Sequence, residues 1–215
     1  LAFTCGTGNT GYFGILLAIM LLSPESANIF IFATLASLLY ENTTGFYVTA
    51  KGTFTARQSI LKVIKLPLLY AFIAGLILNI FGFRTPDFII PYFENFKWAY
   101  GILGMMMLGM GLIGLRNSEG NFDIKFMTIT YVLKFIFWPL AMIGVIYLDK
   151  TFFMFLNEDL YKVLFLFAIV PLAGNTVTLA VLLNAKPEKA SLAVFLSTVI
   201  SVVTIPLYIY WYGGF

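Results

Sequence analysis

The sequence predicts an all-α integral membrane protein. Of its 215 residues, 60% are hydrophobic and only 11% are charged, whereas a soluble domain has about 25% charged residues. A soluble chain of this length could not bury so much apolar surface, because the buried fraction of a protein grows slowly with its size. The alternating pattern of membrane β-strands is absent, so helices are the remaining way to satisfy backbone groups in lipid.

Seven apolar runs are long enough to be read as membrane helices. A spanning helix needs about 20 mostly apolar residues, and polar residues, prolines and glycines separate the runs. The predicted segments are 2–22, 27–50, 66–83, 98–115, 126–148, 160–183 and 190–212. The stretch 51–66 interleaves basic and apolar residues, and we expect either an amphipathic helix on the membrane surface or a cytoplasmic linker.

Charge and residue usage limit the orientation and the function. The loops 51–66, 116–125 and 184–189 carry eight basic residues and the loops between them carry four, which places the first set in the cytoplasm. The basic residues form no dense cluster, so we expect no nucleic-acid partner. The chain has no histidine and one cysteine, Cys5. We therefore expect no enzyme activity, no metal site and no cofactor.

Two pairs of short motifs indicate an internal repeat. The tripeptide GNT occurs at 8–10 and at 174–176, and SPESANIFIF (23–32) resembles KPEKASLAVF (186–195). Segments one and two thus correspond to segments six and seven. Five crossings separate the copies, so the second is inverted in the membrane, as in many secondary transporters. The alternative is chance similarity of two short motifs.

The repeat predicts how the chain is organised. Residues 1–50 are the last two helices of a first repeat, 51–65 is a cytoplasmic linker, and 66–215 is a second five-helix repeat. By this symmetry we expect three helices, about 100 residues, before Leu1, and a parent protein of ten helices.

Helix-weakening and polar residues interrupt both GNT helices. Glycine and proline destabilise a helix interior, and opened backbone at membrane depth is tolerated only where it lines a protein cavity. Positive half-helix ends facing such a cavity favour an anion; ordinary packing of small residues is the alternative. The predicted substrate-binding residues at the two breaks are Gly8, Asn9, Thr10, Gly11, Pro171, Gly174, Asn175, Thr176 and Thr178.

Two charged residues within the segments have different predicted positions. Lys134 is the only basic residue deep inside a segment, and we add it to the predicted substrate site because buried ionisable groups in membranes are functional candidates. Structural pairing of Lys134 with carbonyl groups, or with an acid that precedes this segment in the parent protein, is the alternative. Glu41 lies near the inner end of segment two, and we expect it at the membrane interface. GMGLIG (109–114) matches a nucleotide-binding pattern without the strand that this pattern requires, so helix packing explains it.

Five stretches resemble the auxin efflux carrier family of permeases. They are GNTGYFG (8–14), SLLYENTTGFY (37–47), KLPLLYAFIAGLILN (65–79), LKFIFWPL (133–140) and LSTVISVVTIPL (196–207). This family of the bile acid/arsenite/riboflavin transporter superfamily includes plant auxin exporters and bacterial permeases for malate and malonate. The resemblance implies ten helices in two inverted repeats. The broken fourth and ninth helices, segments one and six here, would cross at the substrate site.

The resemblance also extends to single residues. It implies binding roles for Asn9, Thr10, Asn175 and Thr176, and it makes Lys134 and Pro139 family-like. The family commonly has a proline after FGI, where this chain has Leu16, so we expect the first break to depend on glycines alone.

The expected function is that of a permease that moves a small organic anion by alternating access. The lipid bilayer and the anion are its expected partners, with Na⁺ or H⁺ as candidate coupling ions and a homodimer as a candidate assembly. A sodium-coupled symporter of the bile acid type and a membrane receptor that does not transport remain alternatives. The expected location is the cytoplasmic membrane of a bacterium.

Overall fold

The structure is a computed structural model that describes residues 1–52, 54–93, 95, 96, 99, 102, 103, 106 and 123–213, with only the backbone of residue 68. Predicted segment four, 98–115, lies mostly outside these residues, and the GMGLIG stretch lies entirely outside them. Within the described part, all regular secondary structure is helical. This agrees with the predicted all-α fold class.

The helices follow the predicted segments closely. Three of them contain π-helical turns, in which the chain makes an extra-wide turn without leaving the helix. The helices are α1 Ala2–Gly6, α2 Thr10–Leu21, α3 from Pro24 to Ala50, α4 Ala56–Ile64, α5 Pro67–Ile80, α6 Ile124–Phe153, α7 Glu158–Ile169, α8 Asn175–Leu182 and α9 Pro187–Tyr212. The α2 helix begins with the π-helical turn Thr10–Gly14, and α3 consists of Pro24–Tyr40, the π-helical turn Glu41–Gly45 and Phe46–Ala50 without interruption.

Local sequence determines where the helices begin. Ser23 caps α3 by accepting a hydrogen bond from the N–H of Ser26, and a proline follows at the first helical position, where its missing N–H costs nothing. Thr55 and Gln58 form a reciprocal capping box at the start of α4. The stretch that contains α4 is therefore largely helical, and its assignment to the membrane surface or to a cytoplasmic linker stays a prediction.

In the described part of the chain, two helices are long and apolar enough to cross a membrane. They are Ile124–Phe153, with 30 residues and a mean hydropathy of 1.9, and Pro187–Tyr212, with 26 residues and a mean hydropathy of 2.2. Ala56–Ile64 and Leu69–Ile80 would form a third span together, bent by 48°. The protein is thus an all-α membrane protein, while the seven crossings stay a prediction.

The molecule has two distinct ends. Gly52, Asp123 and Lys186, from the three loops predicted to share one side, line a single cavity at one end. The largest apolar cluster includes Phe30 and Phe165 and extends to the partly buried residues that flank the other loops. We call these the cavity end and the packed end.

Candidate functional site

The first helix break lies between α1 and α2, at the first GNT motif. The backbone of Thr7 is extended (φ −117°, ψ 144°), and the helix begins again at Thr10. Asn9 caps the new helix: its buried side-chain oxygen accepts hydrogen bonds from the N–H groups of Tyr12 (3.1 Å) and Phe13 (3.3 Å). The cap satisfies two donors that the break would otherwise leave unpaired.

The second helix break lies between α7 and α8, at the second GNT motif. Val170 has extended backbone (φ −62°, ψ 150°), and Pro171 has no N–H group to donate. The N–H of Leu172 donates a hydrogen bond to the side-chain oxygen of Ser197 on α9 (3.2 Å), and the helix resumes at Asn175. A side chain from another helix therefore stabilises the opened backbone, as membrane depth requires.

The two breaks contact each other directly. The N–H of Asn9 donates to the carbonyl oxygen of Pro171 (2.7 Å), and Gly8 pairs with Leu172 in an isolated antiparallel bridge. Both predicted breaks are therefore present, and they cross at one place, which we call the crossing.

Lys134 brings an ammonium group to the crossing. It lies in the π-helical turn Leu133–Phe137 of α6 and is only 4% exposed. A methyl group added at Gly8 would come within 3.0 Å of Lys134 Nζ, so the ammonium lies against the backbone of the first break. None of the described residues forms a hydrogen bond or an ion pair with Lys134. An unpaired buried cation of this kind favours a negatively charged ligand.

A cavity of about 330 Å³ leads from the cavity end to the second break. Its lining includes Thr176, whose hydroxyl oxygen lies 3.5 Å from that of Thr7 in the first break. At the cavity end, Lys189 Nζ donates to Asp123 Oδ2 (2.8 Å). This hydrogen bond is the main cause that holds the pKa of Asp123 below its usual range. The volume is at the lower limit of small-molecule sites, which suits a small ligand.

Glu41 is buried beside the second break, so its predicted position at the membrane interface is wrong. Its side chain is 4% exposed, and its Oε2 accepts a hydrogen bond from Asn175 Nδ2 at 2.6 Å. The predicted segment 27–50 also ends at residue 50, so the error was to place a residue nine positions before that end at the interface. Glu41 is thus roughly 14 Å from the end of its helix, at 1.5 Å per residue.

The model of the membrane transport protein family matches residues 51–209, which is most of the chain. The chain belongs to this family. The matched region includes Lys134 and the second break, whereas the first break and Glu41 precede it. Comparisons with curated proteins and with solved structures gave no match. Because the family is one of transporters, the crossing is a candidate transport site.

The remaining predicted site residues of this membrane transport protein lie near the crossing in different settings. Thr10 is buried, and its N–H donates to the carbonyl oxygen of Gly8 (2.7 Å). Gly11 is exposed, and a methyl group added there would meet no other atom within 4 Å. Gly174 is half-buried and has similar free space, and Thr178 is half-buried on α8.

Two interactions that shape the first break did not follow from the sequence: a hydrogen bond from Trp138 and the helix cap of Asn9. The indole N–H of Trp138 donates to the carbonyl oxygen of Cys5 (2.8 Å), which fixes the end of α1 immediately before the break. Nothing in a single sequence pairs these residues. The first break also does not depend on glycines alone, because Asn9 caps it and Leu16 lies further on, exposed within α2.

Proposed function

We propose that this membrane transport protein is a secondary carrier that moves a small organic anion by alternating access. The observation that carries the proposal is the buried ammonium of Lys134, which lies against the first break and has no counterion among the described residues. A carboxylate is the simplest group that would balance it, since charge-assisted hydrogen bonds are among the strongest in proteins.

The other groups at the crossing suit a carboxylate ligand. The amide of Asn175 stands at the beginning of α8, where the helix dipole is positive. The hydroxyl groups of Thr7 and Thr176 face each other across the two breaks. Thr7 donates its hydrogen to the carbonyl oxygen of Phe3 (3.0 Å), so the hydroxyl of Thr176 is the one that can donate to an oxygen ligand. Together with Lys134 on α6, Asn175 and Thr176 on α8 offer donors from two helices.

The two ends of the molecule support an alternating-access mechanism. The cavity that reaches Thr176 opens at the cavity end, which the charge distribution assigns to the cytoplasm. At the packed end, buried Phe30, Phe165 and Leu166 belong to one apolar cluster. In this proposal the anion enters from the cytoplasmic side, and rearrangement at the two breaks closes the cavity and opens the packed end.

The experiment is uptake of labelled malate, malonate and indole-3-acetate by proteoliposomes that contain the full natural chain. We expect saturable uptake of at least one anion above that of empty vesicles. Lys134→Met keeps the side-chain bulk without the charge, and we expect its uptake to fall at least tenfold, as loss of a charged hydrogen bond costs about 1.5–3 kcal/mol.

The matched control is Lys125→Met, an exposed lysine on the same helix, which should leave uptake unchanged. Uptake that equals the empty-vesicle level for every anion would overturn the proposal. Binding without uptake would instead point to a receptor, and undiminished uptake by Lys134→Met would remove Lys134 from the site.

A further inference from the structure

Glu41 places a carboxyl group beside a site proposed for an anion. Its Oε2 accepts the 2.6 Å hydrogen bond from Asn175 Nδ2, and Asn175 begins the helix that follows the second break. An ionised Glu41 would repel a bound carboxylate and would also engage the amide that the carboxylate could use. A neutral Glu41 would not repel the carboxylate and would hold the amide of Asn175 more weakly, so its protonation state and anion binding depend on each other.

No cation neutralises Glu41 in the described part of the chain. Lys134, the buried cation of the crossing, lies against Gly8, and none of the described basic residues forms an ion pair with Glu41. An ionised carboxylate is costly to bury without a countercharge. A proton is the simplest partner that removes this cost.

The helices around Glu41 carry few titratable groups that could neutralise it in place of a proton. α8, which supplies Asn175, carries none, and α1 carries only Cys5, whose thiol donates to Thr130 Oγ1 at 3.7 Å. Tyr40 and Tyr47 are the neighbours on α3 itself. The other titratable groups on helices that pack against α3 are Tyr12 on α2, Arg57 and Lys62 on α4, and Glu158, Asp159, Tyr161 and Lys162 on α7.

The charged groups among these are remote along their helices. The α4 helix packs against Phe46–Ala50, the last stretch of α3. The charged residues of α7 lie in its first turns, towards the packed end. None of them is an ion-pair partner of Glu41 among the described residues.

Glu41 lies near the cavity although it does not line it. Val48 and Thr49 line the cavity on α3, about two helical turns beyond Glu41. Thr176, which follows Asn175, lines it on α8. The hydrogen-bonded pair of Glu41 and Asn175 therefore lies next to the wall of the route proposed for the anion.

We infer that Glu41 is a proton-binding site that couples proton movement to anion movement in the same direction. The inference rests on the proposed anion carrier and deepens it. A proton binds Glu41 as the anion binds the crossing, the repulsion between the two carboxyl groups disappears, and Asn175 turns its amide to the anion. Both leave together on the other side, so that one proton accompanies each anion.

The first test is gradient-driven accumulation in proteoliposomes that contain the full natural chain, with the membrane potential clamped to zero. The probe is whichever of malate, malonate and indole-3-acetate the wild type takes up. With one pH unit across the membrane, acidic outside, one-to-one coupling drives up to about tenfold accumulation. Glu41→Gln should exchange labelled for unlabelled anion at a measurable rate, yet accumulate none. Glu25→Gln, at an exposed carboxyl on the same helix, should behave as wild type.

The second test needs no variant. When malate is added to the purified wild type in weakly buffered detergent solution at pH 7, where malate is fully ionised, binding should take up as much as one proton per protein. Absence of uptake by the wild type of every anion would overturn the proposed function and this inference together. Three other outcomes would overturn the role of Glu41 alone. They are wild-type uptake that does not depend on the pH gradient, accumulation by Glu41→Gln, and anion binding without proton uptake.

Discussion

The two helix breaks share the tripeptide Gly-Asn-Thr and differ in what its asparagine contacts. The side chain of Asn9 accepts two hydrogen bonds from the backbone of its own helix. The side chain of Asn175 donates to Glu41 on another helix. The first asparagine stabilises a local helix end, whereas the second joins two helices through an ionisable group.

The glycines of the two motifs also differ, in the space that surrounds them. A methyl group at Gly8 would come within 2.8 Å of Val170 Cγ2 and 3.0 Å of Lys134 Nζ, whereas one at Gly174 would meet no other atom within 4 Å. The first break is therefore tightly packed around the ammonium, and the second has space beside it. A packed half can hold the ammonium in place while an open half admits the ligand and rearranges.

The largest expected effect concerns the two glycines. Gly8→Ala should destabilise the protein by about 1–3 kcal/mol, because overpacking displaces Val170 or Lys134, and it should abolish anion uptake. Gly174 has helical backbone angles (φ −60°, ψ −32°), so Gly174→Ala should leave stability unchanged or raise it slightly. Thermal unfolding in detergent and uptake by proteoliposomes measure both variants. Equal effects of the two substitutions would refute the difference in packing.

A smaller effect is expected for the two asparagines. Asn9→Ala should cost about 1 kcal/mol of stability at any pH through loss of the helix cap, and Asn9→Ser, which can cap, should recover most of it. Asn175→Ala should destabilise more at high pH than at low pH, because loss of the donor costs more for an ionised Glu41 than for a neutral one. The measurement is thermal unfolding from pH 5 to pH 8. The same pH profile for both alanine variants would show that the two side chains have equivalent roles.

The smallest expected effect is at the cavity end. Lys189 lowers the pKa of Asp123, so the ionised carboxylate contributes stability above its unfolded-state pKa, and this contribution is lost as the pH falls through the lowered folded-state pKa. Asp123→Asn keeps an oxygen that can cap α6 at the N–H of Phe126 and should reduce thermal stability slightly at pH 7 but not in acid. Asp87→Asn, at an exposed aspartate, should leave thermal stability unchanged both at pH 7 and in acid. A deficit that persists in acid would indicate a lost cap instead.

Much of the fold could be predicted from the sequence. Apolar runs located the helices, and clustered glycines with Pro171 located both breaks, because these residues disfavour helix wherever they occur. Lys134 could be predicted as buried because no other charged residue occurs between 126 and 148.

The partners of individual side chains could not be predicted. Two identical tripeptides give a cap at Asn9 and an inter-helix bond at Asn175, and only the packing of other helices distinguishes them. Glu41 was misplaced because α3 is apolar on most of its surface, so its sequence does not reveal which face is buried. The contact of Trp138 with Cys5 joins residues 133 positions apart, beyond the reach of local pattern.

The central claim is that the charge of Lys134 recognises an anion at the crossing. The direct measurement is equilibrium binding to the purified full chain of the transported carboxylate and of its uncharged amide analogue, in wild type and in Lys134→Met. The account predicts that the wild type prefers the carboxylate and that Lys134→Met loses at least tenfold of this preference while its affinity for the amide changes little. An undiminished preference for the carboxylate in Lys134→Met would contradict the account.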